Sequence, residues 1–165
     1  MKHTAPLLLA GLLAASLAAP TLAQQYKMDP NAPLDVNADT QTKFDPADCT
    51  LNLKGKVEIT RDRTRLRSQT ATAYSEKERG GDCGGIVRLV AKGDVFYVTP
   101  DQKVRADNAD YDVTKETAVF TGNVVAVRGQ DVITSQSLVV NLETSAAEST
   151  GRFRGVFYPK SSKTK

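Results

Sequence analysis

Glycine returns at a fixed spacing in this chain, and each return opens the same two-strand pattern. Gly55-Lys56-Val57, Gly93-Asp94-Val95 and Gly122-Asn123-Val124 each begin a strand-type run. Eleven residues after each glycine stands Leu66, Val104 or Ile133, and two residues further on stands a small residue, Ser68, Ala106 or Ser135. The step from Gly93 to Gly122 is 29 residues, the step from Gly122 to Gly151 is again 29, and Phe153 takes the valine position of that last, unfinished copy. From Gly55 to Gly93 the step is 38, and the surplus matches an inserted loop over Ser75–Gly85. A repeat of this length holds two strands and their turns, too little to bury an apolar face alone, so stacked copies must share one core. Valine is common enough that the plainer reading, a chance recurrence, has to be set beside it.

The front of the chain carries the other half of a unit. Val36-Asn37-Ala38-Asp39 resembles Val104-Arg105-Ala106-Asp107, so the repeat opens on a second half and closes on a first half. Alternation assigns the faces: Val57-Glu58-Ile59 and the stretch Ala106–Tyr111 put polar residues on alternate or near-alternate positions, one face wet and one apolar. Gly122–Val127 and Leu138–Leu142 are apolar more continuously, as expected of strands covered on both sides or lying against another chain. Proline and glycine punctuate turns throughout, and no window of a dozen residues keeps a helical stripe. Ser68–Lys77, the best helix candidate, is rich in Thr and Ala and reads as strand. These patterns predict an all-β chain.

Composition removes most chemistry. Residues 1–23 have a basic start, an apolar stretch from Ala5 to Ala19 and a small-residue site at Thr21-Leu22-Ala23, the form of a cleaved secretory signal peptide. The apolar stretch falls short of the roughly 20 residues that span a bilayer, although an uncleaved anchor stays open. Cleavage after Ala23 leaves 165 − 23 = 142 residues and removes the only histidine. Histidine-based acid–base work, Ser-His-Asp triads and most zinc sites then lack their usual side chain. No cofactor or metal set is expected. The balance of 21 basic against 19 acidic residues, +2, is too small to point to nucleic acid. Positive charge is local, in Arg61–Arg67 and in the tail 160–165, where a solvated face and a flexible tail are the plainer readings beside an anion site. Cys49 and Cys83, in a chain bound for an oxidising compartment, are first expected to form a disulfide.

The stretches VNAD at 36–39, VRADNADYDV at 104–113, AVFTGNVVAVRGQDVITSQSLVVNL at 118–142 and GRFRGVFYPK at 151–160 together resemble the periplasmic lipopolysaccharide-transport proteins of the LptA/OstA type. The inserted loop, its cysteines and Ile133-Thr134-Ser135-Gln136, where other units have an Ala-Asp step, depart from that pattern. The resemblance implies a single-domain, V-shaped antiparallel β jelly roll over 33–159; before it, the polar, proline-punctuated stretch 24–32 reads as a flexible lead-in, and after it the lysine-rich 160–165 reads as a basic flexible tail. The resemblance also implies an apolar interior that holds the acyl chains of lipid A. On the faces assigned above, Val57, Ile59, Leu66, Val95, Tyr97, Val104, Val124, Ala126, Leu138 and Val140 point inward, where ordinary core packing is the plainer reading for each. Arg65, Arg67, Lys103 and Arg105 are candidates to meet phosphate at the rim.

The same resemblance implies head-to-tail stacking into a bridge between an inner-membrane complex and an outer-membrane translocon. Terminal half-units would supply the unpaired edges: Leu34 and Val36 at one end, Phe153, Val156 and Phe157 at the other. Two further functions are weighed. One is an inner-membrane-anchored partner of the same pathway, which would retain Met1. The other is a carboxylate enzyme using Asp107 and Asp110, whose spacing on a strand sets them on opposite faces. No P-loop is present to couple nucleotide hydrolysis to movement.

Overall fold

The computed structural model describes residues 26–29 and 31–159; the expected signal peptide at 1–23 and the basic tail at 160–165 lie outside the described residues. Ten strands follow in order: β1 (Leu34–Asn37), β2 (Gln41–Asp45), β3 (Thr50–Arg61), β4 (Thr64–Lys77), β5 (Cys83–Val98), β6 (Lys103–Asp112), β7 (Thr117–Arg128), β8 (Asp131–Asn141), β9 (Ala147–Thr150) and β10 (Arg154–Val156). They form one antiparallel sheet, each long strand pairing with its neighbours in sequence from β3 to β8. No helix occurs among the described residues. At one edge β1 and β2 pair end to end with β3, and at the other β9 and β10 pair end to end with β8.

The glycine repeat is the device that folds this sheet. Pairing breaks between Lys54 and Val57, Lys92 and Val95, and Thr121 and Val124, leaving one Gly-X pair unpaired on each strand. Both residues of each pair have positive φ: 79° and 43° at Gly55-Lys56, 79° and 46° at Gly93-Asp94, 75° and 47° at Gly122-Asn123. These are β-bulges begun by a left-handed glycine, which bend the strand and sharpen its twist. Opposite them, pairing also skips between Arg67 and Thr70 and between Arg105 and Asn108, at the small-residue positions Ser68 and Ala106. Bulge beside bulge, the breaks make a crease running across every long strand, β3 to β8.

The crease divides the sheet into two arms that face each other. One holds residues 50–54, 70–77, 83–92, 108–112, 117–121 and 137–141; the other holds 57–67, 95–105 and 124–134. Tyr97 of β5 and Phe120 of β7, strands that are not neighbours, bring their rings to 5.4 Å between centroids across the interior. Val57, Val95 and Val124, two residues after each bulge glycine, are 0%, 0% and 1% exposed at the inner corner.

Two expectations need correction. The Ser75–Gly85 insertion is not a loop throughout: β4 runs on to Lys77 and β5 starts at Cys83, so the surplus residues lengthen a hairpin through irregular pairing. A disulfide from Cys83 to Cys49 ties that hairpin to the turn between β2 and β3. Strands β7 and β8 are not covered on both sides: Val125, Val127 and Val139 are only half-buried on the outer face, because the described residues form one folded sheet and no second layer outside it.

Candidate functional site

All ten residues expected to face inward lie in or against the single apolar cluster between the arms; Leu66 and Ala126 are half-buried and the other eight buried. Sequence reading missed most of the opposite wall. Leu89, Ala91, Ala109, Tyr111, Ala118 and Phe120 are as deeply buried, Phe120 being fully enclosed. Their signal was present in the i, i+2 pairs Leu89/Ala91, Ala109/Tyr111 and Ala118/Phe120, but alanine beside charge reads as a weak strand face. The alanines leave room for Tyr97 and Phe120 to reach across. Between the arms remains an apolar cavity of about 40 Å³, lined by Ile59, Leu66, Leu89, Tyr97, Phe120 and Leu142 among others. One water needs about 10–15 Å³ on this measure, so the gap is well short of an acyl chain.

Opposite the crease, the free rims of the two arms meet at a mouth. Arg61, at the end of β3, donates through Nη1 to the Tyr111 hydroxyl (2.9 Å) and to Glu116 Oε1 (3.2 Å) on the facing arm. Tyr111 in turn donates to Glu116 Oε2 at 2.6 Å. With the Arg61 side chain only 11% exposed, this bridge is charge-assisted and partly shielded from water. Burial, with the Glu116 carboxylate beside it, pushes the Tyr111 hydroxyl well above its ordinary pKa; burial does the same to Tyr97.

The lead-in crosses this mouth. Met28 is buried and lines the cavity. The Tyr26 backbone N–H donates to Asp101 Oδ2 (2.6 Å), its hydroxyl donates to Asp62 (3.0 Å) and lies 3.2 Å from the Thr64 hydroxyl, and Arg63 covers its ring at 4.5 Å. On the other rim Lys27 reaches Glu143 at 3.7 Å.

The basic candidates stand elsewhere. Arg65, Arg67, Lys103 and Arg105 pair across the outer face with Val98 and Phe96, not at the rim of the interior. Strand parity decides this, since their partners alternate with the inward residues Leu66, Tyr97 and Val104. Arg67 donates to Glu58 at 2.6 Å and holds that carboxyl below its usual range, Arg65 is 3.7 Å from the same carboxylate, and Arg105 is 3.8 Å from Asp94. Asp107 and Asp110 do not converge: Asp110 pairs with Arg88, and Asp107 accepts from Asn123 Nδ2 (2.9 Å) at the crease. No group of three or more potential metal ligands occurs among the described residues.

At the sheet edges, Leu34 and Val36 are half-buried against the core, whereas Phe153, Val156 and Phe157 are 52%, 42% and 60% exposed. Phe153 holds the repeat position that Val57, Val95 and Val124 bury completely.

The sequence profile of the family described as LptA/(LptD N-terminal domain) LPS transport protein matches residues 35–145 and again 103–158, an overlap in keeping with the internal repeat. No curated protein sequence matches the chain. Among solved structures, the fold is similar to that of LptH from Pseudomonas aeruginosa, described as the LptA homologous periplasmic component of the conserved lipopolysaccharide transport device. The TM-score is 0.70 at 18% identity, covering 80% of this chain and 99% of that one.

Proposed function

Because the chain belongs to the LptA/(LptD N-terminal domain) family of LPS transport proteins, we propose that it works in the periplasm as one segment of a bridge, carrying lipopolysaccharide from the inner membrane to the outer. Residues 1–23 direct export, and 33–159 form the working domain. The acyl chains lie between the two arms against Val57, Ile59, Leu66, Val95, Tyr97, Val104, Val124, Ala126, Leu138 and Val140. Each methylene moved there from water contributes about 0.8 kcal/mol. Cargo is held by burial alone, without covalent chemistry, and energy enters at the inner-membrane complex.

The observation that carries this reading is the exposed Phe153 at a position where three earlier copies of the unit hold a fully buried valine. A neighbour's strand laid on β9 and β10 would bury Phe153 and Val156 as the corner of a further unit. The strand available for that is β1, with Leu34 and Val36, on the next copy or on a similar fold at either end of the bridge. Different edges meeting in this way give open-ended stacking and not a closed ring.

Photo-crosslinking in cells tests the cargo. A photoreactive residue replacing Val95 or Val124 is expected to capture lipopolysaccharide, and one replacing Glu58, on the outer face, is not. Equal capture from all three positions, or from none, overturns the interior path.

A further inference from the structure

The closed state of the interior has a specific cause. Met28 lies between the apolar cavity and a second, more polar gap at the mouth lined by Tyr26, Asp101, Gln102 and Asn141. Tyr26 and Lys27 fasten it to both rims: to Asp101, Asp62 and Thr64 on one arm and to Glu143 on the other. Beneath that strap, Arg61 bonds to Tyr111 and Glu116 across the same mouth, and its Nε donates to the Ala32 carbonyl at 3.4 Å, coupling the bridge to the lead-in. One unbranched apolar side chain, with soft, adaptable packing, thus fills a slot open to a larger apolar guest.

We propose that Tyr26–Met28 is a resident competitor for an acyl-chain subsite, and that the Arg61–Tyr111–Glu116 bridge is the latch that closes the mouth behind it. The inference rests on the interior path above. An entering acyl chain displaces Met28, the strap leaves both rims, and the two gaps merge into one slot open along the mouth. When cargo moves on, the strap returns and the apolar walls are not left wet. A lipid that binds only the strap-open state has its apparent affinity and loading rate lowered by the fraction of time the strap is closed. The polarity of the latch sets a second condition. Its three groups bond to one another, so opening breaks bonds that the cargo can replace, and an amphiphile with anionic groups next to its acyl chains can accept from Arg61.

The test uses the exported full-length chain, whose two native cysteines are tied in the disulfide and leave a new thiol unique. Lys27, with its side chain 67% exposed, is replaced by cysteine and labelled with an environment-sensitive fluorophore. Purified lipopolysaccharide is then added while a photoreactive group at Val95 reports entry. The label signal is expected to change with the same concentration dependence as the Val95 adduct, and a Tyr26→Ala/Met28→Ala variant to load about 5- to 10-fold faster. A label that stays unchanged while Val95 adducts accumulate, or a strap variant that loads at the parent rate, overturns the proposal and leaves the interior path standing. Absence of Val95 adducts in every variant overturns the interior path itself.

Discussion

At the scale of single residues, the fold depends on three bulge glycines, Gly55, Gly93 and Gly122, that another residue type would disturb for two separate reasons. Gly122 has φ +75°, and a Cβ there would meet Asp107 Oδ2 at 2.4 Å and its Cβ at 2.8 Å. Asp107 cannot swing away freely, because it accepts from Asn123 in the same bulge. Gly122→Ala should therefore cost more than the roughly 1–2 kcal/mol of left-handed strain alone, measured as a fall in urea midpoint at unchanged slope. The tyrosines give a pH signature. Tyr97 and Tyr111 are held by burial above the ordinary value of 10.0. The unfolded chain releases their protons from about pH 10 upward while the folded chain retains them, so their contribution is whole below pH 10 and is lost as pH rises beyond it. Denaturant titrations from pH 8 to 11.5 should show stability falling above pH 10, with a shallower fall in Tyr111→Phe.

At the scale of elements, the long β4–β5 hairpin is the part that departs from the 29-residue period, and the disulfide explains how the departure is tolerated. Its outer end is irregularly paired between Tyr74 and Lys77, and Cys49–Cys83 anchors it to the β2–β3 turn over a separation of 34 residues. Removing both cysteines (Cys49→Ala/Cys83→Ala) should cost about 3–4 kcal/mol on the chain-entropy account, read from thermal unfolding, with secondary structure retained. Here sequence and structure met unevenly. The repeat is legible in Gly-Lys, Gly-Asp and Gly-Asn, each followed by a valine, but the sequence suggests a strand start at each glycine, whereas all three lie at bulges inside β3, β5 and β7. What the bends fold against was not legible. Periodicity reports which side of a strand is apolar, but Arg61 meeting Tyr111 and Glu116 depends on the angle at which the arms close, which no single strand encodes. The lead-in was opaque for a like reason: Tyr-Lys-Met between glutamines and prolines has no period, and its hydrogen-bond and ion-pair partners stand 36 to 116 positions away.

At the scale of the whole molecule, the crease, the inner corner of valines and the half-built edges are consequences of one repeat that begins and ends out of phase. Each internal unit finds its missing half on the next; the outermost units, β1 with β2 and β9 with β10, do not. The exposed Phe153, Val156 and Phe157 concentrate at the edge where the repeat would continue, with the charged Arg152 and Arg154 beside them. In the proposed bridge, pairing between such an edge and β1 of another copy would join the two interiors in line, which a bridge for an amphiphile requires and an isolated carrier does not. Sedimentation velocity across rising protein concentration tests this most directly. The account predicts weight-average mass growing steadily without a fixed end point, and a return to single-chain mass in Phe153→Asp. A single-chain mass at every concentration, or growth unaffected by Phe153→Asp, would contradict it.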